Sequence, residues 1–333
     1  MALHLAFGVL VIAVEQVFRL LESRKVPCVR LQPARPKAQD RRNRKCALLF
    51  SRKRGRMGGL PSTPPQENAT MPTKFRVAAQ MFGFRDYTKT LEDAAKTMKR
   101  VKKIGYDYAQ ISGFGPMDMA DLKRVCDDAG VTPIGAHIGL PQFRENEKKV
   151  LEDCRKLGIS YVAIPWLKAS DQKTLADWKK LFREFEGYAK RFAKEGVLVQ
   201  YHNHAFEFQK FGIKAGKGGK TILDMFYDGT KAIQAELDLG WCARGGYNPV
   251  YWIRKVSGRM DQVHLKDWGI WDDAQTPEFR ALGEGSLDWP TLVRECKKAG
   301  VKDFIVEQDT QIATKDPFVS YAISRKYLKT LGL

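Results

Sequence analysis

From Phe75 to Leu333 the chain repeats one unit eight times: a short apolar or β-branched run, a turn, then a longer amphipathic stretch. That repetition is the pattern of βα units feeding a parallel sheet. The expected strands are 75–82, 106–112, 131–138, 160–166, 196–204, 232–238, 260–266 and 302–308. The expected helices are 88–103, 117–129, 143–157, 172–195, 221–228, 248–257, 288–299 and 314–331. Several helices stop at a glycine, as in Lys103-Ile104-Gly105-Tyr106 and Lys156-Leu157-Gly158-Ile159. A left-handed residue there ends the helix without a Cβ penalty. Strict alternation over about 250 residues predicts a single closed (β/α)8 barrel. The competing fold, an open doubly wound sheet, would carry a glycine-rich phosphate fingerprint after its first strand, and Gln80-Met81-Phe82-Gly83-Phe84 is not one.

Charge separates this region from what precedes it. The net charge of +19 suggests a nucleic-acid partner until it is divided along the chain. Residues 1–74 hold 15 Lys+Arg against 4 Asp+Glu, which is +11 of the total and leaves +8 for the other 259. Met1 to Val14 is apolar, but no positive region precedes it, no small-residue cleavage site follows, and it is too short to span a bilayer. Basic clusters such as Arg41-Arg42-Asn43-Arg44-Lys45 and the turn-rich Pro61-Ser62-Thr63-Pro64-Pro65 have no periodicity to build a core. Residues 1–72 are therefore expected to be a basic, disordered or mis-assigned N-terminal extension, and 73–333 the catalytic barrel. A targeting segment or a nucleic-acid tail is the alternative, with Met71 as the natural start the favoured reading. Six scattered cysteines without a C-x-x-C pair predict a reduced, cytoplasmic setting.

In such a barrel the chemistry sits at the C-terminal ends of the strands. Four of the five histidines, His137, His202, His204 and His264, fall at the ends of expected strands three, five and seven. Asp238 ends strand six in Ala235-Glu236-Leu237-Asp238, and Glu307 ends strand eight in Phe304-Ile305-Val306-Glu307. An unpaired carboxylate at the rim of a buried sheet needs a cation, a proton or several donors. One divalent metal would satisfy Asp238, His264 and Glu307 together. Mixed imidazole and carboxylate ligation suits manganese, zinc, cobalt or iron(II) better than calcium. The plain alternative is a set of ion pairs with Lys266 or Arg244.

Six segments, in order, carry a resemblance. They are Gly135-Ala136-His137, Tyr201-His202-Asn203-His204-Ala205-Phe206-Glu207-Phe208, Glu236-Leu237-Asp238-Leu239-Gly240-Trp241, Val263-His264-Leu265-Lys266-Asp267, Gly283-Glu284-Gly285 and Ile305-Val306-Glu307-Gln308-Asp309. Through them the chain resembles the xylose isomerase-like barrel superfamily, in particular the sugar phosphate isomerase/epimerase group that includes inosose dehydratases and ketose 3-epimerases. The resemblance implies a divalent metal ion, with magnesium added to the candidates above, held by a Glu, an Asp, a His and a Glu from strands five to eight. Asp238, His264 and Glu307 match the last three. Gln200 stands where the first would be, so Glu207 from the following loop, or His202 on the same strand face, is expected to replace it, with Glu207 favoured. Trp241 stands where many relatives have a His.

The implied chemistry is proton abstraction next to a carbonyl in a small carbohydrate. Glu307 or Glu207 would be the base, His137 and His204 would orient hydroxyls or carry the proton, and Lys266 would hold an oxyanion. Phe114, Trp166, Trp241 and Trp268 suit the apolar face of a sugar ring, although core or loop packing explains each equally well. A non-catalytic sugar-binding barrel and a metal-dependent nuclease of the apurinic-endonuclease type are the alternatives. The barrel itself is expected to engage neither nucleic acid nor membrane, and homo-oligomerisation is left open. Expression from Met71 should yield a folded protein with the melting temperature and activity of the full chain, and loss of solubility would assign residues 1–72 to the domain.

Overall fold

The computed structural model describes residues 75–211, 219–270, 277–311 and 314–333. The expectation for residues 1–72 lies outside the described residues. Seven parallel strands come first: β1 Arg76–Gln80, β2 Tyr108–Ile111, β3 Thr132–His137, β4 Tyr161–Ile164, β5 Leu198–His202, β6 Gln234–Asp238 and β7 Gln262–Leu265. An antiparallel hairpin, β8 Asp267–Gly269 with β9 Glu278–Arg280, precedes the last strand, β10 Asp303–Val306. The barrel closes in the order β1-β10-β7-β6-β5-β4-β3-β2, with Val77 opposite Phe304 across the seam. This is the (β/α)8 architecture the alternation predicts.

The helices are α1 Leu91–Ile104, α2 Met119–Asp128, α3 Leu140–Leu157, α4 Leu175–Ala193, α5 Ile222–Gly229, α6 Leu239–Arg244, α7 Pro249–Lys255, α8 Trp289–Lys298 and α9 Pro317–Thr330. Helix α4 shows why such segments dock. Thr174 and Asp177 cap its start reciprocally, and Trp178, Leu181, Phe185, Tyr188 and Phe192 fall on one buried stripe. Each such side chain contributes about 2 kcal/mol on burial. Gly105 and Gly158 end α1 and α3 in the left-handed conformation, as their sequence positions require. Among the described residues no helix is long and apolar enough to cross a membrane.

The principal core lies between sheet and helices. Inside the barrel the apolar content is small: Ala78, Ile134 and Ile305 form a floor with Tyr108 against it. Beneath the floor, at the N-terminal ends of the strands, Arg76 forks onto Asp303 at 2.5 and 2.8 Å and Gln262 donates to the same carboxylate at 2.8 Å. The floor leaves the polar inward positions of β5, β6, β7 and β10 to gather above it.

Two elements depart from the expected plan. Helix α6 follows β6 without a loop, because the Asp238 side chain accepts the Trp241 N–H at 2.8 Å and caps it. The β8–β9 hairpin follows β7 where a plain loop is expected, and Asp267 holds it. Its carboxylate accepts from the backbone N–H groups of Trp268, Gly283, Gly285 and Leu287 and from Trp289 Nε1, at 2.6 to 3.4 Å. Removing one acceptor that serves several buried donors costs the desolvation of each. Asp267→Ala should therefore lower the unfolding free energy by about 3 kcal/mol or more, measured by urea titration. A loss below about 1 kcal/mol would show that the loop is held by other contacts.

Candidate metal centre and its pocket

Alternation along β5, β6, β7 and β10 turns every second side chain into the barrel. His202, Glu236, Asp238 and His264 are inward-facing and buried, and Glu307 follows β10 at its C-terminal end. Two groups of potential ligands result: His202, Asp238, His264 and Glu307, and beside it His137, His202, Glu236 and His264. Within each, the ligating atoms lie within 4.8 Å of one another.

In the first group His264 Nδ1 is 2.7 Å from Glu307 Oε2, and His202 Nε2 is 3.9 Å from both Asp238 Oδ2 and Glu307 Oε2. Lys266 Nζ stands 3.1 Å from Asp238, Glu307 and Asp309. In the second, Glu236 Oε2 faces His137 Nε2 at 2.7 Å, His264 Nε2 at 3.3 Å and His202 Nδ1 at 3.5 Å.

Burial and charge set the protonation states. Burial drives the His202 pKa down to about 3 and holds His204 well below the usual imidazole range, so both rings are neutral. Burial acts against a charged His264 too, but Glu236 and Glu307 on its two nitrogens raise it to about 10. Burial would raise Glu307, yet Lys266 and His264 keep it well below the carboxylate norm. Asp238 is raised to about 6 by burial despite Lys266, whose ammonium stands 3.1 Å from its Oδ2. Two buried carboxylates beside two imidazoles are the donor set of a divalent cation. The residues present fit such an ion, and His264 would release a proton on binding it.

The cluster opens into a cavity of about 320 Å³ lined by Gln80, Phe82, Ser112, His137, Trp166, His202, His204, Glu307 and Asp309 among others. That volume suits a monosaccharide-sized ligand. Trp166 stands at its wall and is half exposed. Of the other aromatic candidates, Phe114 packs against the core and Trp241 lies between His204 and Phe279.

The structure brings together His137, His202, His204, Asp238, His264, Lys266 and Glu307, and it places Glu207 elsewhere. Tyr201, on the outward face of β5, donates to Glu207 Oε1 at 2.6 Å, and the His204 N–H donates to Oε2 at 2.9 Å. Burial raises this carboxyl to about 7, and it belongs to neither ligand group. Gln200 is buried with both amide atoms unpartnered. Sequence reasoning missed Glu236 and Asp309. Both were within reach of a period-two reading, since Glu236 shares its strand face with Asp238 and Asp309 follows Glu307 by two.

With this geometry in view, the likenesses to known proteins can be placed. Inosose dehydratase of Bacillus cereus is 21% identical over 180 residues, a match spanning 50% of this chain and 58% of that enzyme. A sugar phosphate isomerase/epimerase of Parabacteroides distasonis superposes with a TM-score of 0.64 at 24% identity, over 80% of this chain and 98% of the other. A xylose isomerase-like barrel protein of Mycobacterium smegmatis, solved with magnesium, gives 0.57 at 16% identity, over 77% and 96%. These likenesses show the fold. Residues 98–329 match the profile of one family over more than half of the chain, and by that match the protein belongs to the xylose isomerase-like TIM barrel family.

Proposed function

We propose that this chain is a divalent-metal-dependent isomerase, epimerase or dehydratase that acts on a sugar or inosose by removing a proton next to a carbonyl. The observation that carries the reading is a buried cluster of two imidazoles and two carboxylates, of which His202 and Glu307 line a cavity large enough for one sugar ring. The names of the relatives, an inosose dehydratase and a sugar phosphate isomerase/epimerase, support the substrate class. Four buried free cysteines, Cys126, Cys154, Cys242 and Cys296, accord with a reduced, cytoplasmic setting.

His202, Asp238, His264 and Glu307 would hold the ion. When bound, it supplies Lewis-acid stabilisation of negative charge on a substrate oxygen. The protein's own groups do the rest. Glu307, ionised and bordering the cavity, is the base. Neutral His204, also on the cavity wall, can take or return a proton, and His137 at the same wall orients a hydroxyl. The Lys266 ammonium is committed to Asp238, Glu307 and Asp309, so its role is to keep those carboxylates charged. Glu207 is assigned to positioning: it ties the loop carrying His204 to Tyr201.

Elemental analysis of the purified protein should find bound divalent metal, and Asp238→Ala, His264→Ala and Glu307→Ala should each lower it at least tenfold at matched metal concentration. Chelation should abolish solvent-deuterium incorporation into a panel of ketoses, inososes and 3-keto-glycosides. Full occupancy in His264→Ala, or turnover that survives chelation, refutes the reading. A sugar that binds without deuterium exchange or turnover would instead make the chain a binding protein.

His202→Gln should lose metal while Glu207→Gln keeps it. The raised Glu207 pKa adds a pH signature. A carboxyl that keeps its proton up to about 7 in the fold but releases it near 4.5 when unfolded makes stability fall as pH rises between those values. That slope should flatten in Glu207→Gln, as read from denaturant midpoints between pH 5 and 8. Loss of metal from Glu207→Gln would restore it to the ligand set.

A further inference from the structure

Glu236 does not line the cavity, yet three imidazoles converge on its carboxylate. Its Oε1 accepts from Gln110 Nε2 at 2.5 Å. Its Oε2 faces three imidazole nitrogens: His137 Nε2 at 2.7 Å, His264 Nε2 at 3.3 Å and His202 Nδ1 at 3.5 Å. It is fully buried, so no solvent competes for these positions.

The proton positions can be worked out from one end of this chain of contacts. Gln80 Oε1 accepts the Phe82 backbone N–H at 2.5 Å, which turns the Gln80 amide nitrogen toward His137 Nδ1 at 3.2 Å. An amide nitrogen only donates, so His137 Nδ1 is an acceptor and the ring carries its proton on Nε2, aimed at Glu236. His137 therefore cannot offer Nε2 to a metal while Gln80 holds this orientation. It is a donor to Glu236, although its distance alone would admit it as a ligand.

The two remaining rings are turned the other way round. His264 presents Nδ1 to Glu307 and His202 presents Nε2 to Asp238 and Glu307, so these are the nitrogens that face the proposed metal position. A ligating nitrogen must offer a lone pair, which puts each neutral ring's proton on its opposite nitrogen. Those are His264 Nε2 and His202 Nδ1, the two atoms that approach Glu236 Oε2 at 3.3 and 3.5 Å, and neither has another partner.

We propose that Glu236 is the positioning residue of the site: its Oε2, on a carboxylate that Gln110 holds by Oε1 and the Phe82–Gln80–His137 relay holds by Oε2, fixes the ring tautomers of both histidine ligands. The inference rests on the metal reading above and goes beyond it, since it names a residue that touches neither ion nor substrate. Glutamine at 236 has a single acceptor oxygen and no negative charge, so it holds the two ring N–H groups more weakly than the carboxylate does.

The test uses the full chain labelled with ¹⁵N-histidine and zinc, a diamagnetic probe. In zinc-loaded protein, nitrogen chemical shifts should place the proton of His202 on Nδ1 and that of His264 on Nε2. Glu236→Gln should weaken zinc binding about 10–100-fold and alter at least one of the two signatures, while the far-ultraviolet circular dichroism is kept. The opposite tautomer in the unaltered protein overturns the proposal whatever the variant does. So does zinc affinity within twofold of the unaltered chain in Glu236→Gln with both signatures intact, or a zinc-loaded crystal with the ion on Glu236 itself. If the unaltered chain binds no zinc, manganese or magnesium, the metal reading fails first and the inference with it.

Discussion

Desolvated charge is the constraint around which this molecule is arranged. Glu236, Asp238 and Glu307 sit in the upper barrel beyond the reach of bulk water, and the cost of that burial is met by Lys266, by His264 and by aimed donors. Lys266 alone reaches three carboxylates. Its ammonium makes an ionised Glu307 tolerable in a dry site, and an ionised Glu307 is what the proposed proton abstraction requires. The balance is not complete, because that one ammonium is shared among Asp238, Glu307 and Asp309. That residual demand is the physical ground for placing a cation there.

The barrel was legible because its signals are local. Apolar runs of strand length, amphipathic stretches and glycine stops can each be recognised without knowing what packs against them, and all eight strands lie within the expected ranges. The ligand candidates were legible for a related reason. A histidine or carboxylate at the end of an apolar strand is out of place unless it has work to do, and Asp238, His264 and Glu307 stood out on that basis.

What escaped the sequence depends on three-dimensional partners. Glu236 shares its strand face with Asp238, which the sequence discloses, but only the closed barrel shows the three imidazoles that meet it there. Glu207 is the converse case. It follows His204 closely in the chain, but the outward Tyr201 captures its carboxylate, a contact that sequence proximity to the ligands does not disclose. Helix α6 and the β8–β9 hairpin depend on single side-chain acceptors, Asp238 and Asp267, whose hydrogen bonds have no periodic signature.

The hub at Asp267 also bears on how the pocket can open. Asp267 follows Lys266 directly and lies three residues beyond His264, and it grips Gly283, Gly285 and Leu287 from there. The close fit is visible at Gly285, where a Cβ would fall 2.1 Å from the Asp267 carboxylate. A segment tied this closely to the strand carrying a ligand behaves as an extension of that strand and cannot swing as a flap without dragging His264 along. Room to move is left at the far wall of the cavity, where Trp166 stands half in solvent on the connection after β4 and, among the described residues, has no hydrogen bond to His202, Asp238, His264 or Glu307.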